Sequence, residues 1–198
     1  MDYAVRPLIF YAADERRVPD LPRAAVHGLT QVQQWYAQEL LGKTFRIDEP
    51  VVFISALTRR QWDCRHRVDG YTDFVPMWVD HVREAIAANV IRDDGTRIHY
   101  YITASPGAGG RALRMDHFGC GAYMSGRDAG NLLRGYPEAA GLMAHELGHC
   151  LGYPGESLGN LHGGGLNVMA PGHRQFPACE LNDEQRAALA SSPFLTET

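Results

Sequence analysis

The chain has 198 residues, 45% of them hydrophobic and 21% charged, with a formal net charge of −4. These values exclude disorder and fibrous repeats, and acids and bases spread along the sequence leave no basic footprint for nucleic acid or an anionic membrane. One domain of this length can bury a core, and no apolar run approaches the roughly 18 residues of a membrane span.

The first residues, Met1-Asp2-Tyr3-Ala4-Val5-Arg6-Pro7, lack a basic segment followed by an apolar one, so no signal peptide is expected within the chain. A trimmed chain with an added Met would start in the same way. Residues 6–13 (RPLIFYAA) are a short apolar run and read as a strand. From about 22 to 41, Val26, Leu29, Val32, Tyr36 and Leu40 recur at helical intervals, and Gly42 follows as a stop. Residues 51–56 (VVFISA) read as a second strand. Residues 61–75 are polar, aromatic and turn-rich and read as a loop, with the broken basic cluster from Arg59 to Arg67 as solvated surface. A helix is expected over 76–91, and a strand over 98–103 after the turn Asp93-Asp94-Gly95. A Gly-rich loop at 105–110, a weaker strand at 117–124 and a helix at 137–151 follow. From there to Cys179 the chain is Gly- and Pro-rich and reads as packed loop. Asn182 with Gln185 approximates a capping box, opening a last helix to about Ala190. The order implies an α/β fold with a mixed sheet.

The four cysteines, Cys64, Cys120, Cys150 and Cys179, form no CxxC pair, which speaks against a structural zinc knuckle. They are two disulfides or four thiols. In an oxidising compartment the expected pairs are Cys150 with Cys179 and Cys64 with Cys120.

The chemistry lies on the helix at 137–151, where His145-Glu146-Leu147-Gly148-His149 reads HExxH. Residues four apart share a helical face, so both imidazoles can reach one Zn²⁺ ion at about 2.0–2.1 Å. Glu146 lies off that face and is placed to take a proton from water acidified by the metal. Met143, Leu147 and Cys150 occupy a face that can pack inward. Gly152 suits a left-handed turn ending the helix and returning the chain toward the metal. Farther on, Asn167-Val168-Met169-Ala170-Pro171 places Met169 in a proline-ended turn.

With HELGHCLG at 145–152 and NVMAP at 167–171, the sequence resembles the metzincin clan of zinc metallopeptidases. The coarse order of strands and helices is similar over most of the chain. The resemblance implies a single catalytic domain over 1–198: an upper lobe to about 152 and an irregular lower lobe over about 153–198 that ends in a helix. The upper lobe would hold a twisted mixed sheet, two backing helices and the active-site helix. Met169 would underlie the metal in a Met-turn, and residues 117–124 would be the substrate-facing edge strand. A secreted, extracellular setting would also follow.

The clan's motif places its third ligand at a position that is Gly155 here, which carries no ligand atom. Two side chains can replace it: His162, which would follow a short inserted loop, or Glu156. Ligand chemistry favours His162, because a neutral imidazole leaves the site at +2, and Gly163-Gly164-Gly165 let the chain return to the turn at Met169. His27, His66, His81, His99, His117 and His173 lack metal spacing to one another and read as surface or core residues. His173 stands out among them, two residues past Pro171 and near the specificity pocket that the resemblance implies.

The expectation is therefore a zinc-dependent endopeptidase acting on a peptide or protein substrate, with no nucleic acid or membrane partner. His145, His149 and His162 (or Glu156) would hold Zn²⁺, and Glu146 would serve as base. Two readings stand beside it. One is a zinc hydrolase of a non-peptide amide or cell-wall stem; the other is a zinc-binding interaction module without turnover, against which an intact Glu146 argues. Oligomeric state is left open.

Overall fold

The computed structural model describes residues 2–92, 94–104, 110–114, 120–153 and 166–197. In chain order the elements are β1 (Ala4–Tyr11), α1 (Leu21–Glu39), β2 (Lys43–Thr44), β3 (Val51–Ile54), α2 (Arg59–Arg65), β4 (Arg67–Val68), β5 (Tyr71–Thr72) and α3 (Phe74–Ala87). They continue with β6 (Arg97–Thr103), β7 (Gly110–Arg114), β8 (Cys120–Met124), α4 (Gly126–Leu133), α5 (Pro137–Leu151), a 3₁₀ helix (Pro171–Gln175), α6 (Asp183–Leu189) and β9 (Thr196–Glu197).

The central sheet has five strands in the order β3-β1-β6-β8-β7. The first four run parallel, and β7 pairs antiparallel with β8. The mixed α/β architecture expected from the sequence is the one observed. The central strands are apolar almost throughout because both of their faces are covered. Alternation divides them cleanly. Val5, Ile9 and Tyr11 of β1, with Ile98, Tyr100 and Ile102 of β6, pack with α1, α4 and α5. Leu8 and Phe10 of β1, with Tyr101 of β6, pack instead with Trp62 of α2 and Met77, Trp78 and Val82 of α3. The register Ile9↔Ile102 and Leu8↔Tyr101 keeps the two sets apart.

Several expectations are corrected. Residues 61–75 are not a loop. Thr58 caps α2 in a capping box with Gln61, burying Trp62 to 2% exposure. Asp69 and Gly70, both with positive φ, then turn the β4–β5 hairpin, the conformation a two-residue Asp-Gly turn requires. Asp73 caps α3 through Val75 N, which puts Pro76 in the first turn, where its missing N–H costs nothing. Strand β7 and helix α4 arise where no element was expected. Residues 120–124 of the segment expected at 117–124 form an inner strand, β8, and the antiparallel edge is β7; residues 117–119, His117 among them, lie outside the described residues.

Among the described residues neither expected cysteine pair is formed, and the Cys120 side chain lies outside them. Cys64, Cys150 and Cys179 are thiols, with Cys64 exposed on α2 and the other two buried. Trp35 Nε1 donates to the Cys179 carbonyl at 3.0 Å, so a hydrogen bond fastens this part of the C-terminal segment. Burial pushes the Cys179 thiol up to about 11, which leaves it protonated and unreactive.

Candidate metal centre

Helix α5 begins at Pro137, where proline is preorganised for a first turn, and ends at Gly152 with φ +123°, the backbone the sequence predicted there. Its apolar side carries Met143, Ala144, Leu147, Cys150 and Leu151, all buried. His145 and His149 lie one turn apart and half-buried.

Two glycines decide how the C-terminal segment meets this helix. A Cβ on Gly141 would lie 1.8 Å from the His173 carbonyl oxygen and 2.8 Å from Phe176 Cβ. A Cβ on Gly148 would lie 2.5 Å from Met169 Sδ. The gaps are seven residues apart, two helical turns, so they open on one side and receive the backbone of the 3₁₀ helix and the Met169 side chain. Met169 is fully buried.

The turn at 167–170 is itself fastened from α6. Asn167 Oδ1 accepts from Met169 N at 2.9 Å. Its amide exchanges two hydrogen bonds with Gln185, at 2.8 and 2.9 Å. Gln185 also closes the capping box of α6 with Asn182, as the sequence predicted. Gln185 is fully buried, so one side chain caps a helix and holds the turn beneath the site. Arg186 of α6 in turn pairs with Glu39 of α1 at 2.7 Å.

This scaffold acts on His145 directly. Its Nδ1–H donates to the Val168 carbonyl at 2.9 Å. A carbonyl only accepts, so the proton sits on Nδ1 and the Nε2 lone pair is left for a ligand. His145 Nε2 and His149 Nε2 are 3.3 Å apart. Two imidazole nitrogens on one tetrahedral ion, each at about 2.0–2.1 Å, must stand about 3.3–3.4 Å apart. The pair therefore fits a shared zinc ion. Glu146, the residue between them in the motif, is 5% exposed.

Among the described residues, no three His, Cys, Asp or Glu side chains form a group that could hold a metal ion. Both His162 and Glu156 lie outside the described residues. His173 is brought close, its ring centroid 5.3 Å from that of His145, and its Nδ1–H donates to Ala170 O at 2.8 Å.

Sequence reasoning missed three contributors. Gly141 looked like an ordinary helix residue; a glycine inside a strong helix pattern is a signal of close backbone approach. Val168 acts through its carbonyl, which no side-chain pattern reveals. Tyr100, in the strand at 98–103, is fully buried, and its phenol is pushed far above its ordinary range by burial and then by Glu146, Cys150 and Asp128. Elsewhere, His81 and His99 are core residues as expected, each held below its ordinary pKa by burial. No helix among the described residues is long and apolar enough to cross a membrane.

No protein-family model and no curated protein matches the sequence. Solved structures do match the fold. Wild-type OgpA from Akkermansia muciniphila superposes with a TM-score of 0.66 at 18% identity, covering 100% of this chain and 62% of OgpA. A catalytically inactive OgpA, crystallised with an O-glycopeptide (glycodrosocin) substrate, superposes at 0.62 with 16% identity over 98% of this chain and 61% of that one. The chain thus has the fold of this part of OgpA and spans about three-fifths of its length.

Proposed function

We propose that the chain is a zinc-dependent peptidase with His145 and His149 as two metal ligands and Glu146 as general base. The third ligand comes from residues 154–165, His162 being favoured over Glu156. The observation that carries this reading is the 3.3 Å approach of the two Nε2 atoms, with the His145 tautomer set by Val168. Zinc bound there would supply Lewis acidity, polarising the scissile carbonyl and acidifying water. Glu146 accepts a proton from the attacking water and delivers it to the leaving amine nitrogen as the C–N bond breaks. Met169, seated against Gly148, supports the helical turn that carries both histidines, the part a Met-turn plays. Antiparallel β7 offers its outer edge to an extended peptide, whose main chain can pair there while side chains alternate.

The likeness to OgpA, whose inactive form holds an O-glycopeptide, supports peptides as the substrate class and makes O-glycosylated peptides the first to assay. The decisive variant is Glu146→Gln. It should keep its metal and its circular dichroism while peptide cleavage falls by about 10²–10⁴. Cleavage at the wild-type rate would remove Glu146 from the mechanism.

A further inference from the structure

His173 is the side chain that the peptidase reading leaves without a task. Its backbone is locked, since its carbonyl fills the space where a Gly141 Cβ would stand. Its ring is locked as well. Nδ1 lies 2.8 Å from Ala170 O, and because the carbonyl can only accept, neutral His173 carries its proton on Nδ1. The Nε2 lone pair, on the far edge of the ring, is then an acceptor. The residue is half-buried, so it is reachable, and the ring stands 5.3 Å from that of His145 at an interplanar angle of 60°. It does not complete a metal-holding group with the described residues.

A rigid, oriented acceptor one ring away from a metal-facing histidine is suited to hold a donor on the substrate. We propose that His173 is a substrate-binding residue whose Nε2 accepts a hydrogen bond from an N–H or O–H group of the bound peptide. Resting on the peptidase reading, this names what the C-terminal segment adds to that site. Two donors have the required chemistry: a main-chain amide of the peptide and a hydroxyl of an attached sugar.

The variants follow from the geometry of the ring. His173→Asn places an amide donor near the position of Nδ1, so the contact with Ala170 O can survive while the far acceptor is deleted. His173→Gln reaches farther and restores an acceptor near Nε2. Both would be assayed on one peptide with and without an O-linked sugar. Loss of one neutral hydrogen bond predicts that KM rises about three- to tenfold in His173→Asn. Bound zinc, melting temperature and kcat should be little changed, and His173→Gln should recover part of the loss. An equal rise on both peptides identifies the main-chain amide, and a rise on the glycopeptide alone identifies the sugar hydroxyl. Unchanged KM on both overturns the proposal, and so does loss of zinc in His173→Asn, which would make His173 a ligand. Equilibrium binding of the same peptides to Glu146→Gln, with and without His173→Asn, tests the contact without turnover. Wild-type protein that cleaves neither peptide removes the peptidase reading; the binding arm still decides His173. Binding weakened by His173→Asn upholds the contact, whereas binding that is unaffected or absent overturns it.

Discussion

The two faces of the central sheet bury histidines in opposite ways. On the face covered by α2 and α3, His81 stacks on Phe10 with centroids 3.8 Å apart and meets the edge of Trp62 at 4.2 Å. It is 1% exposed, hydrogen-bonded to the Tyr101 hydroxyl at 2.5 Å, and pushed down to about 2. On the face covered by α1, α4 and α5, His145 and His149 are half-buried and bring their Nε2 atoms to 3.3 Å from each other. The first face is filled by large rings and tolerates a histidine by keeping it neutral. The second is closed by close approach at two glycines, of the His173 carbonyl to Gly141 and of the Met169 side chain to Gly148. The residue type is the same on both faces, and packing decides whether the ring is core or stands beside a second imidazole.

The largest effect that sharpens this contrast lies in the third ligand. Two imidazoles alone hold zinc poorly. His162→Ala is expected to lose both zinc and activity, while Glu156→Gln keeps its zinc, as read by elemental analysis of the two proteins. The opposite pattern transfers the role to Glu156.

Next comes the glycine contact. Gly141→Ala drives a Cβ into the His173 carbonyl, a backbone atom that cannot rotate away. A cost of about 3 kcal/mol is expected, the upper part of the overpacking range, measured by urea unfolding. Zinc affinity should fall with it, since the displaced segment carries the Val168 carbonyl that orients His145. A variant as stable as the wild type would mean that the close approach at Gly141 does not hold the segment in place.

The smallest effect, read over a single pH unit, belongs to the aromatic face. Unfolded, His81 takes up a proton near its ordinary pKa of about 6.5; folded, burial resists protonation down to about 2. Below pH 6.5 the unfolded state therefore binds a proton that the folded state refuses. Stability should fall as the pH drops, by up to about 1.4 kcal/mol per pH unit from this group. His81→Leu should flatten that slope, leaving the part due to His99, which burial also holds low. An unchanged slope would show that His81 is not the group responsible.

Much of this was legible in the residues. The apolar runs at β1 and β6 and the periodicity of α1 follow from burial on two faces and on one, and the run at β3 is an edge strand that buries Phe53. The turn at Gly152 and the cap at Asn182 were read from single residues whose backbone or side-chain chemistry is local. Thr58-x-x-Gln61 and Asp69-Gly70 were equally local signals, obscured by the charged residues around them. What could not be read was non-local. Strand β7 is short and takes its place by pairing with β8, and α4 carries glycines at both ends of its first turn. The grip of Gln185 on Asn167 joins side chains 18 positions apart. The HExxH motif placed the two histidines, while the carbonyl that fixes one of them came only with the fold.

The central claim is that these two histidines share a zinc ion. Elemental analysis of the full chain, purified after growth with zinc, should find about one zinc per chain, and next to none in His149→Ala under the same conditions. Wild-type protein that carries no zinc and takes up none on addition would contradict the account.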